Sequence, residues 1–384
     1  MKAMIILRDL PIPVYVGLNL VIHNVLKGLM EKHQILVLVL DKEYPADKSM
    51  FFAEYESYEY CEKKVYGGKI PVKISRVAHY YRTERDKLIW LENKIKAYKP
   101  DRIIGFGYDL LGYFGLLDSN VPKILDLIDS EVLFLWRDIK QGHMGPSHWK
   151  HLIASVFIAK CIKKCDAVIT VSDEDTLSLK RLLLCNNIFT IPNGVDLNYY
   201  CPDDNIEKEE GQIVFVGSLN WPPNWQGIQW FLKKCWGSIL KECPHAKLII
   251  IGKNPTQVIA EFIRSYPNVE LKGFVEDIRD YIRRSQVSIA PMISGSGIKN
   301  KILEAWALGQ PVVSTYLGAR NLVCKNDVNI LLGDSPGSFS KQIIRLLGDK
   351  NLRHSIAAGG RANVIANYSW EKITNEFNGL IERV

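Results

Sequence analysis

Short apolar runs alternate with amphipathic stretches along this chain, and the alternation is completed twice. In residues 1–200 the runs are Ala3–Leu7, Gln34–Leu40, Arg102–Phe106, Lys123–Ile128, Asp166–Val171 and Ile188–Ile191, with amphipathic segments at 17–31, 84–98, 148–165 and 174–185 between them. Strands that read as unbroken apolar runs are buried on both faces. Strands spaced by helices form βαβ units with a parallel sheet. The alternation restarts near residue 212. The second set of runs is Gln212–Val216, Ala246–Ile251, Asn268–Lys272, Gln286–Ala290, Pro311–Thr315 and Val328–Leu332, with helices expected at 224–241, 256–266, 276–284, 298–308, 337–348 and 350–366. The fold class is therefore α/β, with two Rossmann-like doubly wound domains facing a cleft. The polar, charge-rich segment CPDDNIEKEEG (201–211) reads as a linker. This divides the chain into an N-terminal domain at 1–200, a C-terminal domain at 212–369 and a final helix at 370–384.

Composition narrows the function classes. Apolar residues make up 47% and charged residues 24% of the 384, which excludes a disordered or coiled-coil protein. No run of about 18 apolar residues is present, so no membrane-spanning helix is expected. The opening MKAMIILRDLPIP has five consecutive apolar residues, Ala3–Leu7, too few for a secretory leader, which points to the cytoplasm. The eight cysteines, at 61, 161, 165, 185, 201, 235, 243 and 324, form no C-x-x-C pair and read as free thiols, so no metal is expected. Net charge is +7 and evenly spread, with 27 basic against 24 acidic residues in 1–200 and 22 against 18 in 201–384. A nucleic-acid binder concentrates such an excess. An even one suits a protein that handles anionic small molecules or touches an anionic membrane.

The strongest local signal is ISGSGIKNKILEAWALGQPVVST (293–315). A strand ends near Ala290–Pro291, a Gly-Ser-Gly loop follows, and a helix starts near Ile298. Glycines before a helix let backbone N–H groups approach a phosphate, and the helix N-terminus favours negative charge. Lys299 in the first turn opposes the helix dipole unless an anion binds there. Lys301 and Glu304, three apart, share a face and also suit a plain i,i+3 ion pair. Three more loops begin with glycine at strand ends: GSLNWPPNW (217–225), GKNP (252–255) and GFVEDI (273–278). In open α/β sheets ligands sit beyond the carboxyl ends of the strands. The four loops together could ring one nucleotide, and each alone also suits a simple turn.

The stretches IPNGVDLNYYCPD (191–203), IVFVGSLNWPPNWQGIQWF (213–231), GFVEDIRDYI (273–282) and SGSGIKNKILEAWALGQPVVST (294–315) resemble glycosyltransferase family 4, retaining nucleotide-sugar enzymes with the GT-B fold. YSWEKI (368–373) resembles that family's last helix, which crosses back to the first domain. The resemblance implies that Glu304 holds the nucleotide ribose hydroxyls. It implies that Lys299 and Lys301 face the diphosphate with Gly295, Ser296, Gly297 and Asn300, and that Gly17 meets the donor phosphates. It further implies that Phe274 and Val275 line the nucleobase, and that Gly217 and Ser218 line the first strand's loop. The chain departs from the family in two places. Ser296 stands where a second glutamate is frequent, and Ser218 where an arginine is usual. Donor binding would then rest on the two lysines. UDP is the nucleotide expected, as part of a co-substrate; no cofactor is implied.

On the acceptor side the resemblance weakens. KILDLIDSEV (123–132) has Ile128 where many relatives carry a histidine, leaving Asp126 and Asp129 as polar candidates for the acceptor hydroxyl; Asp129-Ser130 also suits a helix cap. Asp173-Glu174-Asp175 contains D-x-D but opens a helix, where acids suit the dipole. His143 and His148 read as loop residues or acceptor contacts. HLIASVFIAKCIKKC (151–165) reads as a packed helix or an anionic-membrane contact. Tyr and Phe at 51–60 read as an acceptor path or a folded loop.

The function implied is a metal-independent retaining glycosyltransferase. Lys299, Lys301 and the helix N-terminus would stabilise the charge that grows on the departing diphosphate. The acceptor would be a carbohydrate, a glycolipid or a small molecule, in surface-glycan, glycolipid or secondary-metabolite synthesis. Peripheral contact with the inner face of the cytoplasmic membrane is an accompanying expectation. The alternatives are a GT-B nucleotide-sugar 2-epimerase and a catalytically degenerate nucleotide-sugar binder. A dinucleotide dehydrogenase is disfavoured, because RDLPIP rather than G-x-G-x-x-G follows Leu7.

Overall fold

The computed structural model describes residues 1–11, 17–41, 83–130, 159–253, 255–295 and 297–384, together with the backbone of 55–57. The chain divides into two compact units, Met1–Pro192 with Ile373–Val384, and Asn193–Lys372.

The first unit runs β1 (Lys2–Leu7), α1 (Gly17–Met30), β2 (Gln34–Val39), β3 (Tyr55–Ser57), α2 (Arg85–Tyr98), β4 (Arg102–Phe106), α3 (Leu111–Leu116), β5 (Lys123–Ile128), β6 (Ala167–Thr170), α4 (Asp173–Leu183) and β7 (Ile188–Thr190). Its seven described strands are parallel in the order β3-β2-β1-β4-β5-β6-β7. Ala3–Leu7 are buried along their whole length, which is why the strand reads as unbroken apolar sequence. The DED triplet follows Ser172, which caps α4 by accepting from the Asp175 N–H; Asp175 turns inward and accepts from the Ser130 N–H at 3.1 Å.

The second unit runs β8 (Gln212–Val216), α5 (Pro222–Phe231), α6 (Gly237–Glu242), β9 (Lys247–Ile251), α7 (Gln257–Arg264), β10 (Val269–Gly273), α8 (Arg279–Arg284), β11 (Val287–Ala290), α9 (Asn300–Ala307), β12 (Val312–Ser314), α10 (Tyr316–Ala319), β13 (Leu331–Leu332), α11 (Pro336–Gly348), α12 (Lys350–Tyr368) and the start of α13 (Trp370–Arg383). A π turn at Leu232–Trp236 joins α5 to α6, where the sequence suggests one uniform helix over 224–241. The described sheet is parallel in the order β10-β9-β8-β11-β12-β13, so its direction of growth reverses between β8 and β11. Alternate residues pack on opposite faces. Ile213, Phe215, Leu248, Ile250, Val287 and Ile289 meet Phe231, Trp236 and Phe339, while Val214, Ile249 and Ile251 meet Ile282 and Leu308.

The chain passes between units after Pro192 and again after Lys372. The first crossing lies earlier than the expected linker. Residues 201–211 lie within the second unit, where the Cys201 carbonyl accepts from Arg283 and the Glu209 N–H donates to the Arg284 carbonyl. Charge alone mimicked a linker there. Val195 bridges Ser369, so the two passing strands are tied together. From Ile373 onward α13 packs in the first unit, with Phe377 stacked on Phe106 and Asn378 bonded to His33.

Candidate functional site

The reversal between β8 and β11 places the loops at 217 and 291–299 side by side at the carboxyl end of the sheet, where an α/β sheet opens a ligand crevice. Backbone contact shapes this edge. The Gly217 N–H donates to the Ile251 carbonyl and the Gly252 N–H to the Gly273 carbonyl, at 2.8 and 2.9 Å. A Cβ on Gly252 would fall 2.2 Å from the Gly217 carbonyl oxygen, and one on Gly217 would fall 2.8 Å from Lys301 Nζ. Two of the three loop glycines thus serve strand packing and the lysine. Gly273, with φ +71° and nothing near its Cβ position, faces open space.

Beyond β11, Gly295 and Gly297 have φ of +100° and +71°, a backbone that side chains disfavour. The Gly297 carbonyl accepts from Asn321 at 3.2 Å and from Lys299 Nζ at 3.4 Å, and Ser294 bonds Gln226. Lys299 is the N-cap of α9 rather than part of its first turn, and Lys301 is its second helical residue. The helix is seated by Trp306, which packs where a Cβ on Gly360 of α12 would clash, and by Arg361, whose guanidinium donates to the Ala307 carbonyl at 2.5 Å.

Lys301 and Glu304 do not form the i,i+3 ion pair that their spacing allows. Lys301 Nζ donates to Asn224 Oδ1 at 2.7 Å and lies 4.0 Å from the centroid of the Phe215 ring. Asn224 is held in turn by donating to the Ser218 carbonyl at 2.9 Å. Burial pushes the Lys301 ammonium down to about 7, nearby Lys299 adds to the effect, and Glu304 opposes it. Glu304 lies in the second turn of α9. Burial pushes its carboxyl up to about 7, against the pull of Lys301 and the Tyr200 hydroxyl. A half-buried cation at a glycine-lined helix start, one turn from a carboxylate, offers chemistry suited to an anionic group and to hydroxyls.

The structure places most of the sequence-derived donor residues on this edge. Gly217 and Ser218 follow β8, Gly295 and Gly297 form the turn before α9, and Lys299, Lys301 and Glu304 follow. Asn300 points to Asn193, which donates to its side-chain oxygen at 3.1 Å. Phe274 stands 60% exposed beyond β10 and Val275 tucks against the Val214 and Ile251 cluster. Ser296 lies outside the described residues. Sequence reasoning missed Asn224, although it lies in a stretch it singled out, because its partner on α9 is distant in sequence.

In the first unit Gly17 opens α1. Asp126 is only 3% exposed and its carboxylate accepts from the Ile128 N–H at 2.9 Å, stabilising a φ of +67° at Ile128. Burial pushes that carboxyl up to about 7, with Asp129 adding to it. This enclosed carboxyl is bonded to its own strand end and shapes the backbone there. Asp129, half-buried, stays at the sheet edge. Sequence reasoning also missed a charged group at the ends of β1, β2 and β4. There Arg8 and Lys87 both pair with Asp41, and burial raises Asp109 to about 6 against the pull of Arg8. His143, His148, residues 151–158 and most of 51–60 lie outside the described residues.

Residues 210–349, wholly within the second unit, match the family model described as glycosyl transferases group 1. Across the full chain, sucrose-phosphate synthase from Thermosynechococcus elongatus superposes with a TM-score of 0.76 at 16% identity, covering 100% of this chain and 99% of that one. Anabaena HepE in complex with UDP and glucose gives 0.72 at 16% identity, covering 99% of each. The fold is GT-B. Among curated proteins, the chain is 27% identical over 232 residues to the capsular polysaccharide biosynthesis glycosyltransferase CapM of Staphylococcus aureus, covering 53% of this chain and 60% of CapM. It is 24% identical over 190 residues to an uncharacterized 44.6 kDa protein in the cps region of Klebsiella pneumoniae, covering 48% and 49%. The chain spans about half the length of the first curated relatives it matches.

Proposed function

We propose that this protein is a glycosyltransferase of family 4 that moves a sugar from a nucleoside-diphosphate sugar to an acceptor hydroxyl, retaining anomeric configuration and using no metal ion. The observation that carries the reading is Lys301. It is a partly desolvated ammonium held by Asn224 beside the Gly295–Gly297 turn and one helical turn from Glu304, inside the segment that matches the group 1 model. UDP is the nucleotide we infer, supported by the UDP complex of HepE. In this reading the diphosphate lies against Lys299, Lys301 and the first amides of α9, and Glu304 takes the ribose. As the sugar–phosphate bond breaks, charge grows on the β-phosphate, and cations and amides already aimed there stabilise that charge more than the ground state. Asn224 keeps Lys301 aimed, and the close Gly217 backbone leaves room for it.

The acceptor we infer is a carbohydrate or glycolipid of surface-glycan synthesis, in line with the printed role of CapM. No helix among the described residues is long and apolar enough to cross a membrane. We place the protein in the cytoplasm with peripheral contact to the membrane. Exposed Leu177, Leu182 and Leu184 of α4 and its C-cap, with Lys180 and Arg181, support this. The test is nucleoside-diphosphate release from UDP-, GDP- and ADP-sugars in EDTA, with NMR of the product's anomeric configuration. Release from one donor in EDTA with retention supports the reading. No turnover of any donor, a strict manganese requirement, or inversion contradicts it.

A further inference from the structure

The loop that leaves β10 at 273–278 carries the exposed Phe274 ring and lies two strands beyond β8 on the carboxyl edge of the sheet. It is held at both ends. At its start the Gly273 carbonyl accepts from the Gly252 N–H at 2.9 Å. Near its end Asp277 accepts from the Arg279 N–H at 2.9 Å, from Arg279 Nε at 2.9 and 3.0 Å and from Nη2 at 2.6 Å. Arg279 Nη1 donates to the Tyr199 carbonyl at 3.1 Å, and the guanidinium lies 3.9 Å from the centroid of the Tyr199 ring. One turn on, Arg283 donates to the Cys201 carbonyl at 2.7 and 3.1 Å. The segment so gripped is itself fixed. Asp196 accepts from the N–H groups of Asn198 and Tyr199 at 2.9 Å each, and Tyr200 packs against both the cluster of Ile302 and Trp306 on α9 and the cluster of Val214 and Ile251. A continuous path of contacts thus runs from the loop through Arg279 and residues 199–200 to α9.

We propose that Arg279 is a positioning residue for nucleobase recognition, locking the 273–278 loop, and with it Phe274 and Val275, at a fixed distance from α9. This rests on the nucleoside-diphosphate reading above. Asp277 and Arg279 are two residues apart and partly exposed, and a plain ion pair of that kind adds little stability. The guanidinium here does more, using Nε, both terminal nitrogens and one face, a set of contacts that the compact ammonium of lysine cannot reproduce. Gly217 and Gly252 place no side chain just past β8 and β9, between α9 and Phe274. Three strand spacings of about 4.8 Å separate β11 from β10, roughly 14 Å in all, a span comparable with the reach of an extended nucleotide. With the phosphates at the start of α9, the base meets the Phe274 ring. A loop fixed before the ligand arrives is not ordered at the expense of affinity, and a fixed distance distinguishes a single-ring from a double-ring base.

The experiment titrates wild type, Arg279→Lys, Tyr199→Leu and Tyr199→Phe with uridine, UDP, GDP, ADP and inorganic pyrophosphate by calorimetry, and melting temperature checks the fold. Arg279→Lys keeps the charge and loses the planar contacts, and Tyr199→Leu removes the ring beneath the guanidinium. Both are expected to melt within a few degrees of wild type. Both weaken UDP and uridine by the same factor, about three- to tenfold, because the loop is now ordered only on binding, and leave pyrophosphate within about twofold. The preference for UDP over GDP and ADP narrows by a similar factor. Tyr199→Phe keeps ring and carbonyl and matches wild type throughout. Unchanged UDP affinity and base preference in folded Arg279→Lys overturn the proposal; if that variant fails to fold, the same result in Tyr199→Leu does so. An equal loss for pyrophosphate and UDP also overturns it, marking the clamp as support for the whole sheet edge. If wild type binds none of UDP, GDP or ADP, the nucleotide reading itself falls and this proposal with it, a result distinct from either.

Discussion

Replacing Lys301 with methionine keeps an unbranched stem over Phe215 and removes only the charge. The free protein loses the 2.7 Å bond to Asn224 and the cation over the ring, but no longer holds an ammonium away from water. The opposing effects leave stability within about 1–2 kcal/mol of wild type. UDP is a different matter. A charge-assisted bond contributes roughly 1.5–3 kcal/mol, so Lys301→Met weakens UDP by about 10–150-fold while uridine changes by less than about threefold. A pH dependence accompanies this. The ammonium sits near 7 in the free protein, and a diphosphate beside it draws it upward, so binding above pH 7 takes up a proton. Wild-type affinity for UDP therefore falls between pH 7 and 9, and the variant's does not. Calorimetry with uridine and UDP, in buffers of different ionisation enthalpy, measures both effects. Equal losses for the two ligands, or an unchanged UDP affinity, would refute the placement of the diphosphate.

Glu304→Ala should lower kcat/KM for the donor by roughly 10–1000-fold with the fold intact, measured by steady-state kinetics alongside melting; unchanged kinetics removes Glu304 from the site. Asp126→Asn keeps an acceptor for the Ile128 N–H and removes a carboxyl held near 7. The folded state binds that proton more tightly than the unfolded chain, so the ionised form destabilises the fold as pH rises from about 4 to 7. The variant's stability advantage is accordingly expected to grow from pH 5 to pH 8, reaching about 1–4 kcal/mol, and an advantage that stays flat across that range counts against the buried carboxyl. Vesicles of anionic phosphatidylglycerol, but not of phosphatidylcholine, should co-sediment the protein, and Arg181→Glu should weaken that binding about fivefold; indifference to vesicle charge or to the variant argues against the α4 surface.

Much of the fold is legible because parallel strands covered on both faces must be apolar throughout, as at Ile103–Phe106 or Leu248–Ile251. The exceptions have local causes. The run Val328–Leu332 shortens to Leu331–Leu332 because Asp327 adopts φ +59° and its N–H bonds the Ile330 carbonyl, folding the start of the run into a turn. Helix α3 escapes notice because Leu110–Leu117 is almost wholly buried and lacks the polar positions that reveal helical period. In the site, the glycine turn and its two lysines are local features and can be read from sequence. Which partner each side chain takes is not local. Lys301 reaches Asn224 across 77 positions instead of Glu304 one turn away. Spacing rules describe an isolated helix; here desolvation by packed neighbours decides the outcome.

A crystal structure of the protein with UDP tests the central claim most directly. The account predicts diphosphate oxygens within about 3 Å of Lys301 Nζ and of the first α9 amides, ribose hydroxyls on Glu304, and the base along Phe274 and Val275. UDP bound elsewhere, or bound here with its base toward Gly295 and its phosphates away from Lys301, would contradict it.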